Sequence, residues 1–125
     1  MSVHKYLGLF RREIEKLEDY GYAESLEIRE EIRPNRQANI KVKAVLIDRS
    51  VLHIREYIDA KYGTKRLSYA YHYQDADGNL IFRYDNAMHK PALGFREHKH
   101  RQDGKVTRAN LPNLSDLIDE IIGYL

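Results

Sequence analysis

Two histidines one residue apart, His98 and His100 of the segment REHKH, carry the chain's most suggestive spacing. In an extended segment, residues i and i+2 point to the same side, so both imidazoles would face one partner. Upstream, the segment RYDNAMH supplies Arg83, Asp85, Asn86 and His89. In a strand, Arg83 and Asp85 share one face while Phe82 and Tyr84 share the other. If the two rings are buried, the guanidinium and the carboxylate project outward together and orient each other through a charge-assisted hydrogen bond. Imidazoles beside an oriented guanidinium suit in-line phosphodiester cleavage, with His98 and His100 as proton donor and acceptor, Arg83 and Lys99 holding the phosphate, and Asp85 orienting a histidine. The same nitrogens and oxygens of Asp85, His89, His98 and His100 would also suit a divalent metal. The plainer account of these residues is a surface ion pair worth under about 1 kcal/mol beside two solvated histidines.

Composition narrows the chemistry. The 125 residues contain no cysteine, which removes disulfides, thiolate metal sites and cysteine nucleophiles. Hydrophobic residues make up 42% of the chain, and no apolar run is long enough to span a bilayer. The opening MSVHKYLGLFRREIEKL lacks the order of a secretion signal, so the expected location is cytoplasmic. Between Arg83 and Arg108, seven Lys and Arg face three acids, a local charge of +4 in a chain whose net charge is +2. Clustered positive charge attracts phosphates or an acidic partner.

These groups need a frame. Tyr6, Leu7, Phe10, Ile14 and Leu17 recur at helical spacing, with Gly21 as a stop. From Ser25 the period becomes two, through Leu26 to Ile32 and Ile40 to Ile47, with Pro34-Asn35 and Asp48-Arg49-Ser50 as turns. Strands follow at Val51 to Asp59, Arg66 to Gln74 and Leu80 to Asp85, the last two joined by the hairpin signal Asp75-Ala76-Asp77-Gly78-Asn79. Leu114, Leu117, Ile118, Ile121 and Ile122 form a second amphipathic helix, capped by Asn113 or Ser115. The expected fold is α+β, a single domain over residues 1–125. An antiparallel meander of five strands is covered on one face by an N-terminal and a C-terminal helix.

Two features of the strands bear on function. Glu56 lies on the aliphatic face of Leu52, Ile54 and Ile58 and must find a partner, either Arg83 or a tyrosine hydroxyl. Tyr69, Tyr71 and Tyr73 share one face, where they either stack on unpaired bases or pack the core. His4, His53 and His72 read as structural or incidental.

The stretches DRSVLHIREYID, LSYAYHYQDADGNLIFRYDNAMH and REHKH resemble the TumE-type family of small toxins from prokaryotic toxin–antitoxin pairs. The similarity runs from about Val45 to the C-terminal helix, and RYDNA-x-H followed by HKH is its most specific part. The chain departs from the family pattern at Ala87-Met88-His89-Lys90 and at Arg96-Glu97. The resemblance implies a toxin whose partner is a small DNA-binding antitoxin, and it points to Glu56, Tyr71, Arg83, Asp85, Asn86, His89, His98 and His100 as site residues.

The leading expectation is therefore a toxin acting on RNA as a metal-independent endoribonuclease, without a cofactor. His98, His100, Asp85 and His89 would be catalytic, and Arg83, Lys99, Tyr71, Asn86 and Glu56 would bind substrate. The competing readings are a non-catalytic module that docks nucleic acid or protein through the basic His-rich loop, and the divalent-metal site. An exposed sheet edge would permit a homodimer.

Overall fold

In the computed structural model, which describes residues 2–87 and 96–125, alternation along the strands sorts the chain into a helix-covered face and an open one. The first helix, α1 (Val3–Asp19), buries Val3, Leu7, Phe10, Ile14 and Leu17, the three- and four-residue spacing that makes one stripe. The Ser2 side chain accepts from Lys5 N at 3.1 Å and caps its start, a contact worth about 1 kcal/mol. Among the described residues seven strands follow: β1 (Ala23–Arg33), β2 (Gln37–Leu46), β3 (Val51–Asp59), β4 (Lys65–Gln74), β5 (Leu80–Asp85), β6 (His98–Arg101) and β7 (Val106–Arg108). A second helix, α2 (Leu114–Ile122), is capped by Asn113 and buries Leu117, Ile118 and Ile121.

The sheet is antiparallel throughout, and its spatial order is its sequence order, β1 to β7. The meander and its two covering helices match the expectation from sequence. The strand number does not, because β6 and β7 extend the sheet from five strands to seven. They are four and three residues long, and Val106 is their one aliphatic residue. No alternation of apolar and polar residues announces them. Their turn uses the same chemistry as the β4–β5 turn: Gly104 and Gly78 both adopt positive φ, while Asp103 and Asp75 each accept backbone N–H groups of the turn.

Register decides which residues meet. On the covered face, Ile28, Val42, Ile54, Tyr71, Tyr84 and Lys99 form one ladder across β1 to β6. Tyr71, Tyr73 and Phe82 are among the largest fully buried side chains, packed with Leu7, Ile14 and Leu17 of α1 and with Leu117 and Ile121 of α2. Tyr71 and Tyr73 of the tyrosine stripe are thus core, and their rings are out of reach of a nucleic-acid base. No described helix is long and apolar enough to cross a membrane.

Candidate functional site

The open face carries its own ladder. Glu27, Lys43, His53, His72, Arg83, His100 and Val106 stand opposite one another across all seven strands. A second ladder, two residues along, reads Arg29, Lys41, Arg55, Ala70, Asp85, His98 and Arg108. Where the ladders cross β5 and β6, four groups named from the sequence come together: Arg83, Asp85, His98 and His100.

Asp85 is their hub. Its side chain is 5% exposed, and its Oδ2 accepts from Arg83 Nε at 2.8 Å. Its Oδ1 lies 2.7 Å from His98 Nε2 and accepts from the backbone N–H of Ala87 at 3.1 Å. His100 Nε2 is 3.5 Å from Asp85 Oδ2, beyond a strong hydrogen bond and within the reach of a small side-chain adjustment. The two imidazoles meet edge to face, 4.8 Å between centroids. They differ in access, since the His98 side chain is 2% exposed and that of His100 is 25% exposed. His98 Nδ1 lies 2.6 Å from the Arg96 carbonyl, so an acceptor faces each of its nitrogens. His98 is therefore held in place, and His100 is the ring that reaches solvent.

Other named residues fall elsewhere. Lys99 points to the covered face, where its Nζ lies 2.7 Å from Glu120 Oε2 of α2 and sits over the rings of Tyr84 and Phe82. Alternation separates it from the histidines on either side, so it cannot share a phosphate with them. Glu56 is 2% exposed beneath α1 and accepts from the hydroxyls of Tyr6 and Tyr71. Its partner is thus a tyrosine pair and not Arg83, which faces the opposite side of the sheet. Tyr71 is likewise buried. Asn86 closes the end of the β4–β5 ladder, accepting from Tyr69 N at 3.0 Å and donating to the Leu67 carbonyl at 3.1 Å. His89 lies outside the described residues.

The structure adds neighbours that the sequence did not single out. His72 pairs across strands with Arg83, whose terminal nitrogen is 3.3 Å from His72 Nδ1. His53 stands beside His72, 6.1 Å between ring centroids. Burial, then Arg83 and His53, pushes the His72 pKa below the ordinary histidine range, and burial followed by the Lys43 charge does the same for His53. Counting outward from the Asp75–Asn79 turn was the available signal. The bulge between Tyr73 and Gln74 displaces that count by one residue.

Asp85, His98 and His100 also present three potential ligand atoms within 4.8 Å of one another. The Arg96 carbonyl on His98 Nδ1 is the kind of outer contact that fixes a ligating imidazole. The arrangement can thus orient a guanidinium beside a solvent-facing imidazole, or gather two nitrogens and a carboxylate around a cation.

No curated protein and no solved structure matches the chain. A family model does, described as toxin TumE and matching residues 11–125, the segment that contains all seven strands and α2. On that match the chain belongs to the TumE toxin family, the toxin side of a toxin–antitoxin pair.

Proposed function

We propose that this toxin acts on RNA as an endoribonuclease that needs no metal, at the open-face cluster around Asp85. The observation that carries the reading is one carboxylate shared by a guanidinium and two imidazoles, with a single ring of the set open to solvent. Arg83, fixed through Nε, offers its remaining nitrogens to the phosphoryl oxygens and offsets the charge that develops there. His100 takes the proton from a ribose 2′-oxygen as that oxygen bonds to the adjacent phosphorus. It then delivers the proton to the 5′-oxygen as the P–O5′ bond breaks. The products are a 2′,3′-cyclic phosphate and a free 5′-hydroxyl, and the histidine ends as it began. His98 and Asp85 are positioning residues in this scheme. The partner of the toxin is its antitoxin, proposed to be a small DNA-binding protein.

Purified protein is incubated with total RNA, with and without a chelator, beside the His100→Ala variant. Fragments with cyclic phosphate ends, made in chelator and absent from the variant, are expected. The absence of any fragments would sink the reading. Cleavage that chelation abolishes would instead favour the second reading, a divalent cation on Asp85, His98 and His100, for which the grouping of ligand atoms and the Arg96 contact speak.

A further inference from the structure

Beside the cluster, the open face places cations directly opposite cations. Arg29 of β1 pairs with Lys41 of β2, and Lys41 pairs with Arg55 of β3, while Lys43, two residues along β2, stands between Glu27 of β1 and His53 of β3. Like charges opposite one another destabilise a sheet. Arg33, at the rim of this face, lies 3.3 Å from Glu31, and away from it Lys16 lies 2.9 Å from Glu13 and Arg49 3.4 Å from Glu24. Among the described residues, Arg29, Lys41, Lys43 and Arg55 take part in no ion pair. An anion bound over these side chains would relieve that repulsion.

The shape of the face agrees. Two adjoining depressions, of about 510 and about 780 Å³, share Arg29, Lys41, Arg55, Ala70 and Arg83 in their walls. The methyl of Ala70, in line between Arg55 and Asp85, leaves the floor low between the cations and the cluster. The trough therefore crosses the strands from β1 to β5, four inter-strand steps or roughly 19 Å. Duplex-reading surfaces span about 16 base pairs, much more than this. The imidazoles of His53 and His72 and the planar guanidinium of Arg55 are surfaces on which unpaired bases stack.

We propose that this trough binds a single strand of RNA, with Arg29, Lys41, Lys43 and Arg55 on its phosphates, and leads it to Arg83 and His100. The inference rests on the ribonuclease reading and names its substrate class as single-stranded RNA.

The test compares His100→Ala with the same protein also carrying Lys41→Gln and Arg55→Gln. Binding of a labelled single-stranded oligoribonucleotide is followed by fluorescence anisotropy over a range of salt concentrations. The added pair of substitutions is expected to weaken binding about tenfold and to reduce the slope of log affinity against log salt by about 0.7 per lost contact. The melting temperature should stay level or rise, because a like-charge pair has gone, and Lys41→Arg with Arg55→Lys should keep the slope. Unchanged affinity and slope in the Gln variant would overturn the proposal. So would tighter binding of duplex RNA, or of poly-glutamate, which would make the trough a site for duplexes or for acidic protein. Protein that binds with the expected slope but never cleaves total RNA retains the track and loses the ribonuclease. Cleavage with KM unaltered by Lys41→Gln and Arg55→Gln does the reverse.

Discussion

His98 and Lys99 are neighbours in the chain and lie on opposite faces of the sheet, each against its own carboxylate. His98 Nε2 is 2.7 Å from Asp85 Oδ1 on the open face, and Lys99 Nζ is 2.7 Å from Glu120 Oε2 beneath α2. The HKH segment thus serves two ends at once. Its histidines complete the cluster, and the lysine between them ties β6, a short strand near the sheet edge, to the C-terminal helix.

That division makes Lys99 a residue of stability. Burial would lower its pKa, but hydrogen bonds to Glu120 and Tyr84 outweigh that effect and hold the ammonium above the ordinary lysine range. Lys99→Met keeps the apolar stem over the Tyr84 and Phe82 rings and removes the cation from the Glu120 carboxylate, which is 27% exposed and keeps the Tyr84 hydroxyl at 2.8 Å. The expected loss is about 1–2 kcal/mol, seen as a lower midpoint in urea. Cleavage of RNA per folded molecule should stay at the parent level. A variant that melts normally and cleaves poorly would return Lys99 to the phosphate.

The two histidines should separate in the same way. His98→Ala removes a buried ring with an oxygen at each nitrogen, and its expected cost is about 2–4 kcal/mol. His100→Ala, at a partly exposed side chain, should cost under about 1 kcal/mol. Both should end growth arrest in cells, yet only His98→Ala should lower the melting temperature. His98→Gln, whose amide can reach Asp85, should recover part of the activity. If His98→Ala melts like the parent, the ring is not the support described.

Much of this frame was legible in sequence. The alternation of Val51 to Asp59 and of Leu80 to Asp85 marked β3 and β5 at their observed bounds, and of the two caps offered for α2, Asn113 and Ser115, the structure uses Asn113. Arg83 and Asp85 were placed side by side because Phe82 and Tyr84 had to be buried. The need of Glu56 for a partner followed from its aliphatic neighbours, while the choice of Tyr6 depended on how α1 docks. β6 and β7 escaped notice because strands so short and polar have no hydrophobic period to reveal them. The ladder of Lys43, His53, His72 and Arg83 escaped because it is a property of register. Turn geometry and one bulge set that register, and no single strand displays it.

Glu56 offers a test of how α1 is fastened. It is 2% exposed and accepts from one hydroxyl of the helix, Tyr6, and one of the sheet, Tyr71. Burial raises its pKa, and the two hydroxyls with Arg66 pull the other way without cancelling that rise. A carboxyl with a raised folded-state pKa binds more protons folded than unfolded. Its contribution to stability is therefore full below the ordinary glutamate value of 4.5 and is lost as pH rises through the folded pKa. Glu56→Gln cannot titrate, so the melting temperature of the parent minus that of the variant should fall as pH rises from acid toward neutral. Tyr71→Phe removes one of the hydrogen bonds that favour the charged form and should move the fall to higher pH. A difference that stays flat or grows with pH would mean that Glu56 is charged throughout, and that its two tyrosines and Arg66 outweigh its burial.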